Sequence, residues 1–143
     1  MTTDRHNGGA HVSEHRAVVV IGGGQAGLAI GYYLSQLSCD FTILDAAAES
    51  AAAWRSRWES LRLFTPARFD GLPGREFPGE PDAYPTRDEV VDYLSDYARE
   101  FDLPIELDSR VRAVRKTQSG YNVELDDRTI RADQVVVATG PFQ

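Results

Sequence analysis

The chain has 143 residues with 15 basic and 22 acidic side chains, a formal charge of −7. That length allows one domain with its own core, and an apolar content of 42% excludes wholesale disorder. The acidic balance excludes a general nucleic-acid binder, which neutralises phosphates with basic surface.

Residues 1–16 are polar and read as a disordered leader ahead of a single domain over 17–143. All three histidines (His6, His11 and His15) lie in this leader. A Ser-His-Asp triad or a histidine metal site would have to borrow from it, so no metal site is expected. The leader has no apolar core of a signal peptide, and the longest aliphatic run, Val18 to Ile21, is far too short to span a membrane. A soluble, cytoplasmic protein is expected.

Ala17 to Ile21 is a short apolar run and predicts a buried parallel strand. A glycine-rich turn, Gly22-Gly23-Gly24-Gln25-Ala26-Gly27, follows at once. Ala26, Ala29, Ile30, Tyr33, Leu34 and Leu37 then recur at helical spacing, predicting a helix to about Ser38. Cys39 reads as a small apolar residue, and as the single cysteine it excludes an intramolecular disulfide. Phe41 to Leu44 predicts a second strand, ending at Asp45. Together these segments form a βαβ unit.

Residues 46–85 hold five of the seven prolines and predict a long ordered loop, with a short helix around 51–58. Its aromatics, Trp54, Trp58, Phe64, Phe69, Phe77 and Tyr84, predict a packed loop rather than a linker. Thr86-Arg87-Asp88-Glu89 is a capping box, starting a helix that runs to about Phe101 with Val90, Leu94, Tyr97, Ala98 and Phe101 inward. Leu103 to Leu107 predicts a third parallel strand. Segments at about 110–116, 121–125 and 128–132 predict an antiparallel three-stranded meander that carries Lys116, the one lysine, on a strand edge. Val135 to Ala138 predicts a last buried strand before Thr139-Gly140-Pro141. The fold class is α/β, a Rossmann-type parallel sheet of about four strands with helices and a β-meander.

Gly22, Gly24 and Gly27 fit G-x-G-x-x-G with its strand before and its helix after. Gly22 permits the tight turn, Gly24 lets a pyrophosphate approach the backbone, and Gly27 lets the helix pack on the strand. The helix start offers N–H groups and a positive dipole end to phosphates. Asp45 stands 21 residues after the second glycine, where a carboxylate accepts from a ribose 2′-hydroxyl and repels a 2′-phosphate. The dinucleotide expected here is FAD or NAD, not NADP.

The segments VVVIGGGQAGL (Val18 to Leu28), WRSRWESLRLFTP (Trp54 to Pro66) and VVVATGPFQ (Val135 to Gln143) occur in this order and spacing. The set resembles the N-terminal FAD-binding region of the flavin-containing monooxygenases, near the bacterial flavoproteins named for a supposed link to cation transport. The resemblance covers nearly all of residues 17–143. It implies FAD on this unit, NADPH on a second unit absent from the chain, and oxygenation of a small-molecule substrate through a flavin C4a-peroxide. It also implies that Gly22, Gly24, Gln25, Ala26 and Gly27 line the pyrophosphate and that Asp45 meets the adenosine ribose. Ala53 and Trp54 would flank the cofactor, and Thr65 would make a polar contact near the flavin. Val111 would meet adenine through its backbone, and Thr139 and Gly140 would form a turn passing near FAD. No catalytic acid or base is assigned, because the flavin carries the chemistry.

Two departures stand out. Ala51 replaces a family glycine and would be strained if that position needs a positive φ. The family's second glycine motif is absent, so the chain reads as a fragment, a truncated frame or half of a split protein, inactive by itself. An exposed edge and apolar patch would then favour self-association. The readings left open are a non-catalytic dinucleotide-binding remnant and an oxidoreductase of another type. A disulfide-type reductase is excluded by the missing Cys-x-x-x-x-Cys pair.

Overall fold

The computed structural model describes residues 14–141. His6, His11 and the rest of the leader up to residue 13 lie outside the described residues, as do Phe142 and Gln143. Among the described residues six strands form one sheet in the order β3-β2-β1-β6-β5-β4. β1 is Glu14–Ile21, β2 Phe41–Leu44, β3 Ile105–Glu106, β4 Ala113–Thr117, β5 Gly120–Glu124 and β6 Thr129–Val137. The helices are α1 (Gln25–Gln36), α2 (Ala52–Arg55) and α3 (Arg87–Glu100).

β3, β2, β1 and β6 run parallel, so the expected four-stranded parallel sheet is present. The valine run sits at its centre. Val18 and Val20 face one hydrophobic cluster and Val19 faces the other, as the two-residue strand period requires. The first cluster lies under α1, α3 and the long loop. Gly27, Leu28 and Gly31 are the buried residues of α1, and a Cβ on Gly31 would come within 2.8 Å of the Ile43 side chain. On α3 the buried face is Val90, Val91, Tyr93, Leu94 and Tyr97, with Ala98 and Phe101 partly buried. The second cluster, Val19, Leu44, Val123, Ile130 and Ala132, joins the central strands to β5 and β6.

β1 starts three residues before its expected position. Glu14, His15 and Arg16 pair with Ile130, Arg131 and Ala132 of β6, and His15 Nε2 lies 2.9 Å from Asp133 Oδ1. Backbone pairing to a distant strand recruits these polar residues, which no local apolar pattern marks.

The expected third meander strand and the expected last buried strand are a single strand, β6. It pairs antiparallel with β5 through Thr129–Ala132 and parallel with β1 from Ile130 to Val137. Asp133 and Gln134 read locally as a connection, yet β1 holds them in the ladder. The end of β6 is not buried as predicted, since Val137 is 70% exposed. The expected strand at 110–116 begins only at Ala113, which leaves Val111 just ahead of it. Lys116 lies on β4, an edge strand, as expected.

The long loop packs, but mostly not through its aromatics. Phe77 is buried and Trp54 half-buried, while Trp58, Phe64, Phe69 and Tyr84 are exposed. Backbone bonds close the loop on itself, including Leu63 N–H to Pro85 O (2.8 Å) and Ala67 N–H to Ala83 O (2.9 Å). Two α3 tyrosines tie it down. Tyr93 accepts from Leu72 N–H and donates to Arg75 O, both at 2.7 Å, and Tyr97 donates to Pro73 O. Burial pushes the Tyr93 and Tyr97 phenols up, so both keep these protons at any physiological pH.

Candidate functional site

The carboxyl ends of β1, β2, β3 and β6 share one edge of the sheet, and chain order reverses between β1 and β6. Open α/β sheets bind ligands at such a switch point. The glycine turn leaves β1 there. Gly22 has φ of +109°, and its N–H donates to Leu44 O at 2.8 Å. A Cβ on Gly22 would stand 2.3 Å from Ala138 O, so this glycine lets the turn lie against the exit of β6. A Cβ on Gly27 would stand 1.8 Å from Gly22 O, which seats α1 against the turn. Gly24 differs: a Cβ there would meet nothing within 4 Å. Its φ of −78° is open to any residue. Neither packing nor conformation requires glycine at 24, and the space beside its backbone is open.

The structure assigns Gly23 a part that the motif does not. A Cβ on it would lie 2.7 Å from Asp45 Oδ2, the atom to which Gly23 N–H donates at 2.9 Å. Ala47 N–H donates to Asp45 Oδ1, also at 2.9 Å. The Asp45 backbone is held on both sides, its N–H on Glu106 O (2.9 Å) and its carbonyl by Ser109 N–H (2.8 Å). Asp45 thus braces the glycine turn as well as standing at the end of β2. An ionised carboxylate has about four acceptor positions, and two are in use here. The only sequence signal for Gly23 is that glycine fills a position the motif leaves free.

α1 starts at Gly24 with no side-chain cap and no acid in its first turn. The first N–H groups of a helix have no partner within it. Gln25 and Ala26 are exposed at this start. Gln25 also lines a cleft of about 310 Å³ with Trp54, Thr65 and Asp70, over a floor of Leu63 and Phe77. Three expected site residues far apart in sequence therefore meet in one cleft. The Thr65 hydroxyl donates to Asp70 Oδ1, and Asp70 Oδ2 is buried without a partner. No sequence pattern marked Asp70.

Ala53 is exposed on α2 and does not line the cleft. Ala51, at the N-cap of α2, is buried with φ of +58°, so the positive φ inferred for the family glycine is present on an alanine. Val111 packs with the second cluster instead of sitting on a strand. Thr139 follows β6, with its Cα beside Gly22, and Gly140 has φ of +80°. The A-T-G turn and the glycine turn are thus in contact. A larger open hollow of about 570 Å³ is lined by the loop itself, between Arg68 and Pro81, and shares no residue with the glycine turn. Among the described residues no cluster of His, Cys, Asp and Glu could hold a metal, and no helix is long and apolar enough to cross a membrane.

The family model described as pyridine nucleotide-disulphide oxidoreductase matches residues 19–143. The chain belongs to this family, on its flavin-containing monooxygenase branch. The flavin-containing monooxygenase from Stenotrophomonas maltophilia superposes with a TM-score of 0.84 at 40% identity, covering 89% of this chain and 39% of that one. The uncharacterized CzcO-like oxidoreductase of Geobacillus kaustophilus is 48% identical over 126 residues, 88% of this chain and 36% of its own length. An oxidized steroid monooxygenase bound to NADP superposes with a TM-score of 0.79 at 26% identity, over 89% of this chain and 26% of that one. The chain thus spans little more than a third of the length of the CzcO-like relative. Despite the family's description, these 143 residues hold one cysteine, Cys39, and no two-cysteine redox centre. Cys39 is half-buried and packs against the first cluster.

Proposed function

We propose that this chain is the FAD-binding part of an NADPH-dependent flavoprotein monooxygenase. The observation that carries the reading is the contrast among the glycines. Gly22 and Gly27 are filled in by the fold, whereas Gly24 faces open space at an uncapped helix start. A diphosphate fits that arrangement, since it needs close backbone approach and free N–H donors.

Gly22, Gly24, Gln25, Ala26 and Gly27 would hold the pyrophosphate. Asp45 would accept from the adenosine ribose with the acceptor positions left over from Gly23 and Ala47. The loop that carries Val111 would face adenine, and Trp54 with Thr65 would flank the flavin end. Ala53, Thr139 and Gly140 would line the path between. Bound FAD would supply the electron transfer and oxygen activation, while these residues bind it, orient it and keep water from it.

NADPH enters the proposal from the branch, where a steroid monooxygenase is bound to NADP. One G-x-G-x-x-G occurs in the 143 residues. We assign it to FAD, so the NADPH unit and the small-molecule substrate pocket belong to further polypeptide, without which turnover is not expected. The test is the absorbance spectrum of the purified chain after mixing with FAD and gel filtration. Flavin bands that elute with the protein support the reading. A chain that is folded by circular dichroism yet elutes without flavin refutes it.

A further inference from the structure

The cleft beside the glycine turn has a hydrogen-bonding polarity of its own. Thr65 has one hydroxyl proton, and it is committed to Asp70 Oδ1. Toward the cleft the hydroxyl oxygen therefore offers only lone pairs. Asp70, once ionised, is also acceptor-only, and its Oδ2 is buried with no partner. Trp54, Leu63, Leu72 and Phe77 supply apolar wall around this pair. A ligand atom that hydrogen-bonds to the Thr65 hydroxyl oxygen must therefore bring the proton, and a carbonyl or an unprotonated ring nitrogen gains no bond there.

We propose that Thr65 and Asp70 form a donor-selective grip for an N–H edge of the isoalloxazine ring, with Asp70 acting as the positioning residue that sets the Thr65 hydroxyl. The proposal rests on the FAD reading above. Oxidised isoalloxazine carries a single ring N–H, at N3, and reduction adds one at N5. An acceptor-only pair therefore restricts which ring edge can face it. Exchanging Asp70 for Asn lets the amide donate to Thr65, which frees the hydroxyl proton to point into the cleft and reverses the polarity.

The experiment titrates FAD and 3-methyl-FAD, which lacks the N3 proton, into the 143-residue chain by flavin fluorescence. The proteins are the wild type, Thr65→Val, Thr65→Ser and Asp70→Asn, each checked for folding by circular dichroism. If the grip is on N3–H, Thr65→Val and Asp70→Asn weaken oxidised FAD roughly 3- to 10-fold, the range of one neutral hydrogen bond, and Thr65→Ser keeps wild-type affinity. If the grip is on N3–H, 3-methyl-FAD binds the wild type weakly and Thr65→Val no worse. If it is on N5–H, 3-methyl-FAD binds like FAD, and the flavin midpoint potential falls in Thr65→Val because the reduced form loses its acceptor. FAD binding and midpoint potential both unchanged in Thr65→Val and Asp70→Asn overturn this proposal alone. A folded wild type that binds no FAD overturns the cofactor reading and this proposal with it.

Discussion

Two helix starts in this chain are built in opposite ways. At α3 the Thr86 hydroxyl accepts from Glu89 N–H at 3.2 Å, and the Glu89 carboxylate accepts from Thr86 N–H at 2.7 Å. Asp88 and Glu89 add negative charge to that first turn. At α1 a glycine stands in the cap position, no side chain closes the turn and no acid answers the dipole. The nearby carboxylate, Asp45, is directed to Gly23 and Ala47. A start that satisfies its own N–H groups contributes stability, and one that leaves them unmet presents them to an anion. The comparison separates a helix start that closes on itself from one that is left open.

Substitutions at the two starts test that separation, and the largest effect belongs to Gly27→Ala. Its Cβ would fall on the Gly22 carbonyl, and neither backbone can move without lifting α1 from the sheet. A loss of about 4 kcal/mol or more is expected in chemical denaturation. Gly24→Ala should separate binding from folding. With no atom within 4 Å of its Cβ, stability should change by less than about 1 kcal/mol, while FAD affinity drops at least about tenfold, measured by fluorescence titration. Thr86→Ala is the mirror case. The chain should lose about 1 kcal/mol with the capping box, and FAD affinity should stay put. A Thr86→Ala variant that loses flavin, or a Gly24→Ala variant that unfolds, would break the comparison. The smallest effect is a gain. Ala51→Gly relieves a left-handed alanine and should raise stability by about 0.5–1 kcal/mol in thermal denaturation.

Much of the parallel core was legible because its signals are local. The run Phe41–Leu44 became β2 with the predicted ends, since three apolar residues and the β-branched Thr42 between two aspartates leave little choice of boundary. The capping box at Thr86 set the start of α3, because its atoms lie within one turn of each other. Gly22 and Gly27 do what the motif requires of them. The meander was read less well. Its third strand and the last parallel strand fused into β6, because pairing with β1 outweighs the polar character of Asp133 and Gln134. Val111 fell outside its expected strand for the same kind of reason, since strand ends depend on partners rather than on propensity.

The site divides along the same line. The glycine motif and Asp45 could be read from spacing, because a βαβ unit of fixed length brings them to one edge. The sequence by itself thus determined the fold class, the glycine turn and the capped helix, and it marked Ala51 as the place where a positive φ would strain the chain. Each of these follows from chemistry within a few residues or from a resemblance carried by short motifs. Only the tertiary structure decided that a side chain at Gly23 would displace the Asp45 carboxylate that braces the turn. It alone also showed that the exit of β6 abuts the glycine turn from 116 residues away. These are contacts between groups remote in the chain, and their geometry is fixed by how the sheet and the loop pack.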